Sequence, residues 1–166
     1  MPQLNKDARH PVTFTLNGTE VTDHASPRML LSDFLTHEIG ITSCHVGCEH
    51  GVCGACTVLV DGTVMRGCLT LAVQAEGTTV ETSESLASDD NELSELQLAF
   101  KKHHGLQCGY CTPGMVMSAL DIARRIPDVD ADTVRHELEG NLCRCTGYEN
   151  IVKSIVAGAK AMQAEG

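Results

Sequence analysis

The spacing of apolar residues changes near residue 83 and divides the chain into a strand-rich first half and a helical second half. In the first half, Val12, Phe14 and Leu16 alternate with polar residues, as expected of a strand with one buried face. The dipeptide Asn17-Gly18, which favours a tight turn, leads into a second strand over 20–22. The pattern therefore predicts a β-hairpin near the N-terminus.

Between this hairpin and residue 83, the pattern predicts one helix and three more strands. Ser26-Pro27 is expected to cap the helix, whose apolar side would lie on the sheet. The apolar residues of this predicted helix are Met29, Leu30, Phe34 and Leu35. Strands are predicted over 57–60 and 63–65, joined by the turn dipeptide Asp61-Gly62, and over 79–81. The expected result is a small mixed sheet crossed by one helix.

The second half is predicted to contain four short helices. Gly105 is expected to be the C-cap of the first. Thr112 is expected to be the N-cap of the second, with Pro113 at its first helical position. Asp130 can cap the third, which would stop at Gly140. The apolar residues that mark the first and fourth helices are Leu93, Leu96, Phe100, Ile151, Ile155 and Ala159.

Together these elements predict an α+β fold of two small domains, residues 1–82 and 83–166. The segment 82–91 is rich in Ser, Asp and Glu and is expected to be a linker with one short turn at Leu86. Each predicted domain contains one group of four cysteines. We expect metal binding to help hold both small domains together.

Composition and charge exclude several classes of partner. The net charge is −10 and aromatic residues make up 3% of the chain, so the basic surface and stacking groups of a nucleic-acid-binding protein are missing. No apolar run approaches the roughly 18 residues that a membrane span requires. Residues 1–10 are polar and show no secretory signal. Reduced cysteines without an export signal predict a cytoplasmic protein.

Eight of the nine cysteines form two sets of four. The first cysteine set has the spacing C-x4-C-x2-C with a fourth member downstream and consists of Cys48, Cys53, Cys56 and Cys68. The second cysteine set combines C-x2-C with C-x-C and consists of Cys108, Cys111, Cys143 and Cys145. The first spacing is that of plant-type [2Fe–2S] ferredoxins. Two sets therefore predict two iron–sulfur clusters and an electron carrier.

Zinc and disulfides are the alternative explanations of the cysteines. Paired C-x2-C motifs also occur in structural zinc sites. The loop that contains Cys53 favours iron and sulfide instead, because Gly47, Gly51 and Gly54 let backbone N–H groups approach the sulfides of an anionic cluster. Disulfides are disfavoured because no secretory signal is present.

The two cysteine turns of the second half resemble each other. Cys111-Thr112 and Cys145-Thr146 are each followed by a glycine and the start of a predicted helix, which suggests a pseudo-twofold arrangement about one cluster. The free N–H groups and the positive dipole end of a helix N-terminus would stabilise an anionic thiolate cluster.

Three motifs in order, over 47–58, 105–115 and 140–148, resemble the small iron–sulfur subunit of the molybdenum hydroxylases. This is the family of xanthine oxidase, aldehyde oxidoreductase and aerobic carbon monoxide dehydrogenase. The resemblance covers nearly the whole chain. It implies a plant-ferredoxin-like β-grasp domain followed by a four-helix bundle domain, each with one [2Fe–2S] cluster.

The resemblance also implies partner subunits and a direction of electron flow. A large subunit would hold a molybdopterin cofactor, as the cytosine dinucleotide, and a medium subunit would hold FAD, in a dimer of heterotrimers. Electrons would pass from molybdenum to the second set, then to the first set and the flavin. Cys145 would lie near the pterin amino group, and Gln107 would contact the cofactor. This subunit alone would have no catalytic residue.

Three questions stay open at this stage. A stand-alone two-cluster ferredoxin is the alternative function, since an acidic chain can dock on basic reductases. The ninth cysteine, Cys44, is expected to be a packed or weakly exposed free thiol, because its spacing to Cys53 does not fit the plant-type loop. The substrate of the complex is undetermined and includes carbon monoxide, aldehydes, purines or other N-heterocycles, and aromatic thioesters.

Overall fold

The computed structural model describes residues 4–87, 90 and 92–164. Its first half contains a five-stranded mixed sheet with the strand order β2-β1-β5-β3-β4. The strands are β1 His10–Leu16, β2 Thr19–Ala25, β3 Thr57–Val60, β4 Thr63–Arg66 and β5 Thr79–Glu81. β1 and β5 pair in parallel, and the other neighbours are antiparallel.

Both predicted hairpins are confirmed, and the turn residues have the expected backbone. Asn17 and Gly18 have φ values of 50° and 84°, and Asp61 and Gly62 have φ values of 49° and 75°. Positive φ at both central residues is the requirement of the type I′ turn. In β1 the alternating apolar residues Val12, Phe14 and Leu16 are buried in the core as predicted.

The predicted helix over the sheet is present, but its predicted start is wrong. It begins as α1, Leu31–Asp33, and continues as a π-helix, Phe34–Ile39. Leu30 instead forms an isolated β-bridge with Leu71, which holds the preceding backbone extended. Met29 therefore lies outside the helix, and the N-cap makes no side-chain hydrogen bond.

Four further helices occupy the described part of the second half: α2 Glu95–Lys102, α3 Thr112–Arg125, α4 Ala131–Glu137 and α5 Glu149–Ala164. The predicted turn at Leu86 is a 3-10 helix, Ser83–Leu86. Residues 88, 89 and 91 of the predicted linker lie outside the described residues. No helix in the described ranges is long and apolar enough to cross a membrane.

The predicted ends of these helices are partly wrong. At the end of α2 the left-handed residue is His104 (φ 55°), and Gly105 is needed instead for packing, because a Cβ there would overlap the hydroxyl of Ser154. The N-cap of α3 is Cys111 and not Thr112, which is the first residue of the helix. Asp130 caps α4 as predicted, since its side chain accepts a hydrogen bond from Thr133 N–H, but the helix stops before Gly140.

β3 joins the two halves because both of its faces are buried. Val58 and Val60 belong to the core between the sheet and α1. Leu59 points the other way and belongs to the core formed by the helices of the second half. The helical half therefore packs directly on the open face of the sheet.

The two halves are in close contact at Gly114, in the first turn of α3. A Cβ at this position would overlap the carbonyl oxygen of Gly54 and lie 2.8 Å from that of Ala55. Because these neighbours are backbone atoms, they cannot rotate away. Glycine at 114 thus allows α3 to touch the loop of the first cysteine set.

We expect Gly114→Ala to lower the free energy of unfolding by about 1–3 kcal/mol, because the added methyl forces the two halves apart. Gly158→Ala is the matched control, since an added Cβ on that helical glycine would lie 2.6 Å from the flexible end of the Leu96 side chain and 3.1 Å from the Cα atom of Leu96, so backbone atoms are less crowded there than at Gly114. Gly158→Ala should lower the free energy of unfolding by less than Gly114→Ala does. Urea denaturation of the metal-loaded chain measures both, and equal stability of Gly114→Ala and wild type would contradict the argument.

Candidate metal centres

The first cysteine set lies on one loop and one short turn beside the sheet. Three of its members occupy the loop before β3, and Cys68 lies in a 3-10 helix, Gly67–Leu69, that follows β4. Their thiols interact as two pairs, Cys48 with Cys53 and Cys56 with Cys68. Cys68 also interacts electrostatically with Cys48, so the four side chains share one place.

Backbone amides of this loop point at the sulfur atoms. The N–H of His50 donates to Sγ of Cys48 at 3.4 Å, and the N–H of Cys68 donates to Sγ of Cys56 at 3.5 Å. Backbone hydrogen bonds from His50 and then Cys53 lower the pKa of Cys48 to about 6. Donors of this kind stabilise the negative charge that thiolates and sulfides carry.

The glycines of the loop leave the room that the sequence predicts. A Cβ on Gly47 would lie 3.2 Å from Sγ of Cys53. Gly51 has a φ of 75°, and a Cβ there would overlap the side chain of Leu69. A side chain on Gly47 would crowd Sγ of Cys53, and any side chain at Gly51 would be strained by the positive φ.

Burial has the opposite effect on the last member of the set. It raises the pKa of Cys68 to about 11, with a further contribution from the hydrogen bond to Cys56. At neutral pH the thiol of Cys68 therefore keeps its proton unless a cation replaces it, whereas Cys48 is largely ionised. Metal binding at this set must release protons.

The second cysteine set lies at the starts of two helices. Cys111 is the N-cap of α3, and the other half of the set precedes α5. The thiols again interact in pairs, Cys108 with Cys145 and Cys111 with Cys143. The first of these pairs is exposed and the second is partly buried. One edge of the set thus faces the surface.

Two residues that sequence reasoning did not single out hold Cys143 in place. Burial opposes ionisation of this thiol, but a hydrogen bond from the hydroxyl of Thr146 to its Sγ at 3.2 Å and backbone N–H bonds from Cys145 and Thr146 lower its pKa. The N–H of Cys143 donates to Oη of Tyr148 at 2.9 Å. A threonine three residues after a cysteine is the sequence signal for the first of these contacts.

Cys111, the partner of Cys143, is held as a neutral thiol. Burial raises the pKa of Cys111 to about 12, with a further contribution from its hydrogen bond to Cys143. Each set therefore combines a thiol that ionises easily with one that does not.

Each cysteine set consists of two neighbouring pairs of thiols. Within the ranges the structure describes, no three His, Cys, Asp or Glu side chains are grouped around a position for one metal ion. A binuclear cluster distributes four thiolates over two irons. Two pairs of thiols in each set fit such a cluster.

Cys44 is a packed thiol beside the first set. It is 4% exposed and lies in the core between the sheet and α1, together with Cys56 and Cys68. Burial, followed by the charges of Cys56 and Cys68, raises its pKa to about 12. The structure thus agrees with the expected free thiol.

The two residues expected to touch a pterin lie at the exposed edge of the second set. Gln107 is exposed and adjoins Cys108, which interacts with Cys145.

Tyr110, in the same turn, stacks on His45 with ring centroids 4.6 Å apart. Its hydroxyl donates to the carbonyl oxygen of Val46 at 2.8 Å. This stack links the turn of the second set to the loop of the first.

Two domain families match the chain. Residues 14–94 match the family described as 2Fe-2S iron-sulfur cluster binding domain. Residues 82–156 match the family described as [2Fe-2S] binding domain.

Several proteins of known activity are similar to the chain over most of its length. It is 50% identical over 149 residues to the gamma subunit of caffeine dehydrogenase from Pseudomonas sp. (strain CBB1), covering 88% of this chain and 89% of that subunit. It is 46% identical over 148 residues to the small subunit of nicotine 6-hydroxylase from Paenarthrobacter nicotinovorans, covering 89% and 88%.

A solved structure also matches. The crystal structure of quinoline 2-oxidoreductase from Pseudomonas putida 86 aligns with a TM-score of 0.91 and 47% identity, covering 94% of this chain and 97% of the matched chain.

We expect the thiol of Cys44 to resist iodoacetamide in the folded, iron-loaded chain between about pH 7 and about pH 10. An ordinary thiol, with a pKa near 8.5, becomes a reactive thiolate across this range. With a pKa raised to about 12, Cys44 keeps its proton throughout, and burial excludes the reagent. Mass spectrometry of tryptic peptides measures the labelling.

The matched variant is Cys44→Ser, which should retain the iron content of the wild type, whereas Cys48→Ser should lose part of it. A thiol that only packs can be replaced by a hydroxyl without loss of a soft metal ligand. Labelling of Cys44 that rises around pH 9, or loss of iron in Cys44→Ser, would show that Cys44 is exposed or is a ligand.

Proposed function

This chain belongs to the family of small [2Fe–2S] subunits of the molybdenum hydroxylases, and from that premise we propose that each of its cysteine sets holds one [2Fe–2S] cluster. Its role is electron transfer within an oxidoreductase. The observation that carries the proposal is the pairing of thiols, two pairs in each set.

The pairs indicate which thiolates share an iron. In the first set, Cys48 and Cys53 would bind one iron, and Cys56 and Cys68 the other. In the second set the corresponding pairs are Cys108 with Cys145 and Cys111 with Cys143. This assignment rests on which thiols are neighbours in the structure. In the second set, Cys108 is paired with Cys145 and not with Cys111, the next cysteine along the chain.

The residues of this chain supply charge stabilisation and shielding. When bound, a [2Fe–2S] cluster accepts and releases one electron at a time. The N–H groups of His50 and Cys68 and the hydroxyl of Thr146 donate to ligand sulfurs and so favour the reduced, more negative state. The partly buried pair, Cys111 and Cys143, would lie at the inner edge of the second cluster, less open to water than the exposed pair.

The exposed edges suggest where electrons enter and leave. We assign entry to the edge with Cys108 and Cys145, where Gln107 and Cys145 would contact a molybdopterin cytosine dinucleotide on a large subunit. Exit would occur beside the first set toward FAD on a medium subunit. Val52 and Leu69 flank that set and are 60% and 62% exposed, as expected of side chains that a partner covers.

We also propose a domain division for this chain and an assembly for the complete complex. Residues 1–82 and 83–166 would form the two cluster domains, the second as a four-helix bundle. The complex would be a dimer of heterotrimers, assembled in the cytoplasm because the thiols must stay reduced until iron is inserted.

The relatives suggest a substrate class for the complete complex. Caffeine, nicotine and quinoline, which appear in the names of similar proteins, are all N-heterocycles. We propose an N-heteroaromatic compound as the substrate, bound by the large subunit and not by this chain.

Replacement of Cys143 tests the electron route. In an assembled complex that retains its molybdenum cofactor, we expect Cys143→Ser to slow substrate-dependent flavin reduction by roughly 100-fold or more, because a ligand of the second cluster is lost. Molybdenum should still be reduced by substrate. Stopped-flow absorbance with quinoline or a related N-heterocycle measures both steps.

Cys44→Ser in the same complex is the control and should reduce flavin at the wild-type rate. Rapid flavin reduction in a Cys143→Ser complex shown to lack the second cluster would mean that electrons bypass this chain. Purification of the wild-type chain without large subunits, molybdenum or flavin would favour a stand-alone ferredoxin.

A further inference from the structure

A buried amide, Asn141, connects the loops that carry the two cysteine sets. It is 4% exposed and lies two residues before Cys143. Its Nδ2 donates to the carbonyl oxygens of Gly54 at 3.4 Å and Gly114 at 3.5 Å. Gly54 adjoins Cys53 of the first set, and Gly114 lies in the first turn of α3, which begins at the second set. One side chain therefore contacts backbone next to both sets.

The oxygen of the same amide is also fully used. Oδ1 accepts hydrogen bonds from the hydroxyl of Ser118 at 3.0 Å and from Nη2 of Arg66 at 3.3 Å. Arg66 lies on β4 in the first half, and Ser118 lies on α3 in the second. An asparagine amide offers two donors and two acceptor sites, so all four are engaged here.

The neighbouring backbone forms a second connection between the sets. The N–H of Leu142 donates to the carbonyl oxygen of Cys53 at 2.8 Å. Nη2 of Arg66 donates to the carbonyl oxygen of Gly140 at 3.0 Å. Residues 140–142 are thus attached to the first half at three successive positions.

Gly54, in the loop of the first set, packs closely against residues 140–141, in the loop of the second set. A Cβ on Gly54 would lie 2.6 Å from both Nδ2 of Asn141 and the carbonyl oxygen of Gly140. The stack of His45 on Tyr110, a further link between the loops, lies at the surface, with Tyr110 49% exposed. The bonds of Asn141 are a buried side-chain link between them.

We propose that Asn141 is a positioning residue that fixes the separation of the two clusters, with Arg66 holding it from the sheet side. This inference rests on the proposed function, because it concerns electron transfer between the clusters assigned there. Electron transfer over a gap depends on the distance between donor and acceptor, so a link between the two loops sets its rate. Asn141 acts through the loops and is not one of the proposed cluster ligands.

The chemistry of the amide explains why other residues would fail. Asn141→Asp keeps the acceptor for Arg66 and Ser118 but places a carboxylate against two carbonyl oxygens. Asn141→Ala removes every bond of the side chain and leaves the buried hydroxyl of Ser118 without its partner, a loss that is costly inside a protein, whereas the carbonyl oxygen of Gly54 keeps its bonds from Thr57. Both variants should loosen the contact between the loops while all eight proposed thiol ligands remain.

Magnetic coupling between the two reduced clusters tests the proposal. In the full-length, iron-loaded chain, pulsed electron paramagnetic resonance should show one narrow distribution of coupling for the wild type. Asn141→Asp and Asn141→Ala should broaden or weaken it, with iron content unchanged. Ser118→Ala is the matched control, because it removes one bond to Asn141 within the second half and leaves the bonds across the halves. Its coupling should match the wild type.

The assembled complex provides a second readout. Electron arrival at the first cluster should slow by roughly 10- to 100-fold in Asn141→Ala, since a misplacement of about 1 Å between reacting groups can cost about 100-fold, while reduction of the second cluster by substrate stays fast. If Asn141→Ala does not retain both clusters, Arg66→Leu replaces it in these measurements. This variant removes the bonds from Arg66 to Asn141 and to the carbonyl oxygen of Gly140. It should likewise weaken the coupling and slow electron transfer between the clusters.

Wild-type coupling and wild-type intercluster rates in Asn141→Asp and Arg66→Leu would overturn the inference and leave the proposed function intact. A wild-type chain that lacks two paramagnetic clusters would overturn the proposed function itself. The two failures are therefore distinguishable in one set of measurements.

Discussion

The charge of four neighbouring thiolates is the constraint on which the rest of this structure depends. Each set contains a thiol whose pKa burial raises, to about 11 for Cys68 and about 12 for Cys111. Hydrogen bonds lower the pKa of Cys48 and Cys143 instead. The proton that a buried thiol retains at neutral pH leaves only when a metal cation takes its place, so metal binding and the final packing of these loops are coupled.

This constraint explains where the chain uses glycine and helix starts. Gly47 and Gly51 leave space for backbone N–H groups beside sulfur, and the second set lies at the N-terminal ends of α3 and α5, where free N–H groups are available. The two sets are also not independent modules. Gly114 allows α3 to touch the loop of the first set, and the amide of Asn141 bonds to both sides of that contact.

Local patterns predicted the strands, the hairpin turns and the grouping of the cysteines, because each depends on neighbouring residues. The start of α1 was wrong because Leu30 pairs with Leu71, a contact made by distant parts of the chain. The contacts of Asn141 could not be predicted for the same reason, because its partner Gly54 lies 87 positions away along the chain. Nothing in the local sequence distinguishes a loop asparagine that caps its own turn from one that joins two domains.

The central claim is that each set of paired thiols holds one [2Fe–2S] cluster. Its most direct test is the metal and sulfide content of the purified, fully loaded chain, together with the electron paramagnetic resonance spectrum of its reduced form. We expect about four irons and four acid-labile sulfides, two of each per cluster, and two distinguishable signals, because the hydrogen bonds and exposure of the two sets differ. Zinc in place of iron, or a single signal in fully loaded protein, would contradict it.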